Sequence, residues 1–270
     1  MSAAKRKAPT HSRTLTPPTI EGEASGEAAS GMGPTGSVGA DSPTPSASPT
    51  PSASPTPSAF APDDIRSPEW QQDFLARFRL EQTRIPERFR NKSLDNFKIQ
   101  HSSKRSAVLQ AARSYVASFN FENAPPNGLL VMGVVGCGKT HIATAVLRGV
   151  VLKGYTGLFY NMPDLLSDIR ATFDEKAPLS ENDLLEDVNR PDLLVLDDLG
   201  AERTSSWVND RLYLIINRRY DSGRPILVTT NLDLGELSDK IGDRIVSRLC
   251  EMCHKFPEFP DEDYRKEHMK

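Results

Sequence analysis

The chain's pattern predicts an α/β fold of three layers, with helices on both faces of a central parallel sheet. Three observations carry this. Short, continuous apolar runs (Gly128–Met132, Leu193–Leu196 and Ile226–Val228) have the composition of strands buried on both faces. Segments of helical period separate them. The first run leads directly into Gly133-Val134-Val135-Gly136-Cys137-Gly138-Lys139-Thr140, and a helical pattern follows from His141 to Leu152.

That octapeptide reads G-x-x-x-x-G-K-T, and strand, glycine-rich loop and helix form the context it needs to act as a phosphate-binding loop. The glycines let several backbone N–H groups turn towards one anion at the positive end of a helix. Lys139 then reaches the outer phosphates of a nucleotide such as ATP, and the Thr140 hydroxyl is suited to Mg²⁺. His141 opens the helix and is read with the loop as part of the nucleotide site.

Taken in order, residues 1–59 contain no Phe, Trp or Tyr, and Ser-Pro-Thr-Pro-Ser-Ala occurs three times in succession from Ser42 to Ala59. Such a segment has too little apolar surface to offset the entropy of ordering it. We therefore expect a disordered Pro/Ser/Thr/Ala-rich tail over 1–62, acting as a solubilising tether or a Pro-rich ligand. Residues 63–100 read as an N-terminal helix and linker arm. Pro68 to about Thr83 has helical spacing with Trp70, Phe74, Phe78 and Leu80 on one side, and Arg84 to Phe97 reads as an extended arm clipped onto the core. The core is expected over 101–266. Ser103–Phe119 reads as an amphipathic helix with Ala107, Leu109, Ala112, Tyr115 and Val116 inward. Pro125-Pro126-Asn127-Gly128 breaks the chain before the first strand.

After the loop helix come a strand at Gly157–Tyr160, a helix at Met162–Phe173 and a short helix from Ser180. The strand Leu193–Leu196 follows, ending in Asp197-Asp198. A long helix is expected from Thr204, as N-cap, to Tyr220, stopped by Asp221-Ser222-Gly223. Pro225–Asn231 is the fourth strand, followed by helices near Leu234–Ile241 and Asp243–Glu251.

Composition excludes several classes. Net charge is −3, so no global basic field marks a nucleic-acid partner and any such contact must be local. No apolar run approaches the roughly 18 residues of a membrane span. Lys5-Arg6-Lys7 is not followed by the apolar stretch of a secretory signal. Three cysteines fit a reducing cytoplasm. Cys250-Glu251-Met252-Cys253-His254 matches the haem-attachment spacing, but zinc would need a second ligand pair, and we read these as ordinary thiols at a strand start.

The loop has company. Asp197 ends a buried strand, where a carboxylate can meet a Mg²⁺-bound water, and Asp198 beside it can orient or deprotonate an attacking water. Asn231 ends another strand and can reach the same crevice at the strand C-termini. Arg244 and Arg248 share one helix face. They can pair with Asp243 and Glu251, or present a cation to a neighbouring subunit's nucleotide.

Leu193–Glu202 (LLVLDDLGAE), Trp207, Leu214–Tyr220 (LIINRRY), Val228–Leu232 (VTTNL) and Asp243–Leu249 (DRIVSRL) resemble the DnaC/DnaI/IstB group of AAA+ ATPases. Ile85–Phe89 and Asp263-Tyr264-Arg265 are similar to that group as well. The resemblance covers about residues 84–266. It implies a P-loop NTPase of AAA+ type, acting either as a loader of the replicative helicase or as an ATPase helper of a transposase. It also implies Lys139 and Thr140 as Walker A, Asp197 as the Walker B metal carboxylate and Asp198 where many AAA+ proteins carry the catalytic Glu. Asn231 is then sensor 1, and Arg248 the arginine finger acting in trans within an ATP-dependent oligomer. Only 22 residues follow Arg248, so no helical lid domain is expected, as in this group. Cysteines of the kind that form an N-terminal zinc domain in many loaders are absent upstream of the core.

The resemblance further places Met162–Phe173 at a channel for single-stranded DNA, with Arg170 favoured as the phosphate contact. Lys176 lies nearby, and Phe173 could stack on a base, but on one stripe with Leu165 and Ile169 it reads as core. Three functions follow: a helicase loader on single-stranded DNA, a transposition helper, or a nucleotide-gated DNA-binding switch with little turnover. The sequence lacks the N-K-x-D motif of a GTPase and any candidate acceptor pocket of a small-molecule kinase.

Overall fold

The computed structural model describes residues 67–100, 102–174, 176–203, 205–260 and 263–264. The tail expected over 1–62 lies outside them. Helix α1 (Pro68–Glu81) starts at Ser67, whose hydroxyl accepts from the Trp70 N–H. Its outer face leaves Phe74 and Phe78 half exposed. A single 3-10 turn at Glu87–Phe89 interrupts the arm that follows, and Ile85 and Phe97 are buried against the main core. The Phe159 N–H donates to Thr83 O at 2.7 Å, so the arm covers part of a sheet edge that would otherwise present unpaired groups.

The sheet contains β1 (Gly128–Met132), β2 (Gly157–Asn161), β3 (Leu193–Asp197), β4 (Ile226–Thr230) and β5 (Cys253–Lys255). All five are parallel, in the order β2-β3-β4-β1-β5. The pleat sends alternate residues to opposite faces. Leu130, Leu194, Leu196, Ile226 and Val228 enter one core with α4 (Met162–Ala171), α5 (Glu181–Asn189), α6 (Ser206–Ser222), α7 (Leu234–Ile241) and α8 (Asp243–Met252). Leu129, Val131, Leu193, Val195 and Leu227 enter the other, with α2 (Ser103–Ser118) and α3 (Lys139–Leu152). The three-layer architecture expected from the apolar runs is therefore present. Among the described residues no helical lid follows β5, and no helix is long and apolar enough to cross a membrane.

Local expectations met several corrections. In α2, Ala112 is buried and Leu109, Tyr115 and Val116 pack partly buried on the core as expected, but Ala107 is exposed, and Val108 and Arg105 are buried beside them. Helix α6 begins at Ser206, capped by the Ser205 hydroxyl accepting from the Val208 N–H, and Thr204 lies outside the described residues. Gly223, at φ +64°, ends it as expected. Cys253 opens β5 and is buried, whereas Cys250 sits exposed on α8. Arg219, 0% exposed, donates to the carbonyls of Asn189, Pro191, Asp192 and Pro225. It ties together the entries to β3 and β4, the two strands whose far ends carry Asp197 and Asn231.

Candidate functional site

Strand order decides what meets at the C-terminal edge of the sheet. β4 lies between β1, which feeds the glycine-rich loop, and β3, which ends in Asp197. Asn231, just past β4, therefore falls between Lys139 and Asp198. Lys139 Nζ donates to Asn231 Oδ1 at 2.6 Å and to the carbonyls of Gly133 and Val134 at 2.8 Å each. Asn231 Nδ2 donates in turn to Asp198 Oδ1 at 2.6 Å. The loop bends as its glycines allow, with φ +81° at Gly136 and +112° at Gly138, which caps α3.

Asp197 is only 4% exposed. Its carboxylate accepts from Thr140 Oγ1 at 3.0 Å and from Thr229 Oγ1 at 2.7 Å. Burial pushes its pKa above the ordinary value, and the two hydroxyls and Lys139 pull against that shift. The Thr229 hydroxyl also accepts from the Asp198 N–H at 2.9 Å, so one threonine of β4 holds the Asp197 carboxylate and the Asp198 backbone. Asp198 has φ +61°, in the left-handed region. The reversal at that residue turns its side chain from strand direction towards Asn231. Thr229 was not singled out in the sequence reading. A threonine within a wholly buried strand, beside two strand-end carboxylates, is the signal for it.

These groups line one cavity of about 540 Å³, together with Val135, Gly136, Gly138, Thr140 and His141. Its size suits a nucleotide. Cys137 does not line it: the thiol is 2% exposed in the core, where burial raises its pKa and leaves it inert. Val134 contributes its carbonyl, to Lys139. His141 Nε2 lies 3.0 Å from Ser93 O and its ring stands edge-on to Phe97, so it joins the arm to α3, and burial lowers its pKa. The arm adds Arg88, Phe89 and Lys92 to the cavity walls, a contribution absent from the sequence reading.

The donor set suits Mg²⁺. Thr140 and Asp197 place one hydroxyl and one carboxylate oxygen side by side, and no group of three His, Cys, Asp or Glu ligands occurs among the described residues. A hard ion that keeps several waters needs no more from the protein.

Arg248 does not line this cavity. It is half buried on α8, stacks on Tyr213 and Tyr220 with its guanidinium carbon 4.9 and 5.4 Å from the ring centres, and donates to Tyr213 Oη at 3.1 Å. Glu251 accepts from Tyr220 Oη at 2.9 Å, and among the described residues no ion pair joins it to Arg248. Arg244 is exposed.

On the α4–α6 surface a second constellation forms. Helix α4 ends at Ala171, and Phe173 lies beyond it, 55% exposed, which corrects the core reading. Phe173 stands edge-on to Trp207 at 6.0 Å, while Arg170 and Arg211 sit over the Trp207 ring at 4.7 and 5.5 Å.

Comparison with known proteins agrees with this geometry. A family model described as IstB-like ATP binding protein matches residues 76–270. The replicative helicase loader DnaC of Buchnera aphidicola subsp. Acyrthosiphon pisum is 33% identical over 165 residues, 61% of this chain and 65% of that protein. The match thus spans just under two thirds of that relative's length. The crystal structure of the DnaC helicase loader superposes with a TM-score of 0.58 at 30% identity, covering 65% of this chain and 100% of that one. AMPPCP-bound DnaA from Aquifex aeolicus shares the fold at a TM-score of 0.52, with 20% identity over 61% of this chain and 50% of that one. The family match takes in the loop, both carboxylates and Asn231, and this chain belongs to the IstB-like ATP binding protein family.

Proposed function

We propose that this chain is an ATP-hydrolysing AAA+ protein that assembles on single-stranded DNA and loads a ring-shaped replicative helicase. The observation that carries the enzymatic part is the Lys139–Asn231–Asp198 relay, which joins loop, β4 and β3 across one cavity. The loader role rests on the likeness to DnaC helicase loaders.

Lys139 binds the outer phosphates, exchanging its loop carbonyls for phosphate oxygens. Thr140 and Asp197 would hold Mg²⁺, which when bound would supply positive charge beside the transferring phosphoryl group. Asp198, aimed by Asn231, orients the attacking water and takes its proton as the water oxygen bonds phosphorus and the bond to ADP breaks. Arg248, braced by Tyr213 and Tyr220, reaches a neighbouring subunit's γ-phosphate. Arg170, Phe173 and Trp207 contact the strand: a cation for phosphate and rings for bases.

The test of the shared site is a mixing experiment. Arg248→Ala should bind ATP but hydrolyse it about 10³–10⁵-fold more slowly, the worth of an arginine supplied in trans. Mixing it with Lys139→Ala should restore part of the activity, because one interface then joins an intact loop to an intact finger. Normal hydrolysis by Arg248→Ala, at concentrations where the wild type assembles, refutes the assignment. A transposition helper is the second reading, favoured by the IstB-like family match. ATP-dependent co-purification with the replicative helicase rather than with a transposase separates the two.

A further inference from the structure

The phosphate loop is packed from outside by the chain's own C-terminal segment. After β5 the Phe256 N–H donates to Leu130 O at 3.0 Å, and Phe259, 3% exposed, lies beneath the loop. A Cβ on Gly133 would meet Phe259 Cβ at 3.3 Å, and one on Gly136 would overlap the Asp263 carboxylate. The Tyr264 N–H donates to Gly136 O at 3.2 Å. Two loop glycines thus admit the close approach of this segment as well as the backbone turn.

Tyr264 is held from behind. The Arg105 guanidinium lies 5.0 Å from its ring centre, and Arg105 is itself only 2% exposed. The half-buried tyrosine lines the 540 Å³ cavity, and also one of about 200 Å³ that shares His141 and Lys92 in its walls. The walls of the larger cavity divide by chemistry. Lys139, Asp197, Asp198 and Asn231 suit phosphates, Mg²⁺ and water. The arm and tail supply Phe89 and Tyr264, with Arg88 over the Phe89 ring at 4.6 Å. An uncharged planar base belongs with the second set, where ring faces are available.

We propose that Tyr264 is a nucleotide-positioning residue that flanks the base of the bound nucleoside triphosphate, so that the C-terminal segment does for the base what a separate lid domain would do. This rests on the phosphate-site reading above. The brace by Arg105 presents the ring in one orientation, and the bond to Gly136 O couples base contact to loop conformation.

The experiment compares the full-length chain with Tyr264→Ala, Tyr264→Phe and Lys139→Ala for Mg²⁺-dependent binding of ATP and of inorganic tripolyphosphate, which has the phosphates but no base. Tyr264→Ala should weaken ATP about tenfold, a modest share of one base stack, and leave tripolyphosphate unchanged. Tyr264→Phe should retain wild-type ATP affinity. Should truncation unfold the chain, Tyr264→Leu repeats the test with apolar bulk but no ring. Equal losses for ATP and tripolyphosphate would make Tyr264 a brace of the loop and overturn the proposal, as would an unchanged ATP affinity. If Lys139→Ala binds tripolyphosphate like the wild type, the phosphate-site reading falls and takes the proposal with it. If Lys139→Ala loses it while Tyr264→Ala matches the wild type for ATP, only the base assignment falls.

Discussion

The sheet edge and the α4–α6 surface use similar residue types to opposite ends. At the sheet edge each charge is answered within the chain: Lys139 by two carbonyls and Asn231, Asp198 by Asn231, Asp197 by two threonines. Lys139 and Asp197 are 7% and 4% exposed. On the α4–α6 surface the exposed Arg170 stacks on Trp207 with no carboxylate partner among the described residues and Phe173 is open to solvent, although Arg211, over the same ring, pairs with Glu181 at 2.7 Å. Buried, mutually satisfied charges are preorganised for chemistry that tolerates little displacement. Exposed rings and cations remain adaptable, as suits a strand of varying sequence. The first region should fail sharply when one member is removed, and the second should fade by degrees.

Between these two regions, the larger effect is expected at Lys139. Lys139→Ala should lower ATP hydrolysis by about 10²–10³ or more, the cost of losing one preorganised donor to developing charge. It also strips Asn231 of its cation, so the orientation of Asp198 should suffer with it. Steady-state hydrolysis within a few-fold of wild type would break the comparison, since the sheet edge would then be as tolerant as a surface.

A middle-sized effect is expected on DNA. Phe173→Ala should weaken binding of a fluorescent single-stranded oligonucleotide by about 1–3 kcal/mol while leaving ATP affinity unchanged. Arg170→Ala should reduce the dependence of log K on log salt by about one. If both variants match the wild type across a salt series, the strand passes elsewhere. Because Phe173 is 55% exposed, a folding defect would not explain a loss.

The smallest effect sharpens the contrast through pH. Burial raises the pKa of Asp197, so the folded chain holds this proton more tightly than the unfolded one. Its contribution to stability is therefore fully present below the unfolded value and is lost as pH rises through the folded one. At neutral pH the ionised Asp197 is a cost accepted for Mg²⁺. Asp197→Asn should accordingly melt higher than the wild type without nucleotide at pH 7, and the difference should shrink in acid. A lower melting temperature at pH 7 would mean that the bonds from Thr140 and Thr229 outweigh desolvation.

Much of the sheet was legible because a strand buried on both faces leaves an unbroken apolar run, and β1 came out with the boundaries read from its five residues. Helix faces were less legible. Weak amphipathicity in α2 allowed Ala107 to be read as inward in place of Val108, since both are small and apolar. Phe173 was misread for a related reason. Spacing by four assumes that the helix continues, and α4 ends two residues too early to carry the ring back to the core.

What the sequence determined by itself was local: the bends permitted by Gly136 and Gly138, the adjacency of Lys139 and Thr140, and two carboxylates at a strand end. Each depends on neighbours within a few residues, and each chemical type sits at its spacing in the chain. The tertiary structure decided what those groups face. Thr140 meets Asp197 across 57 positions and Lys139 meets Asn231 across 92. Those meetings exist because β4 lies between β1 and β3, an order that depends on how whole strands and their crossovers pack. The same holds for Tyr264 against Gly136, where a backbone hydrogen bond and two glycines without side chains brought the C-terminal segment onto the loop.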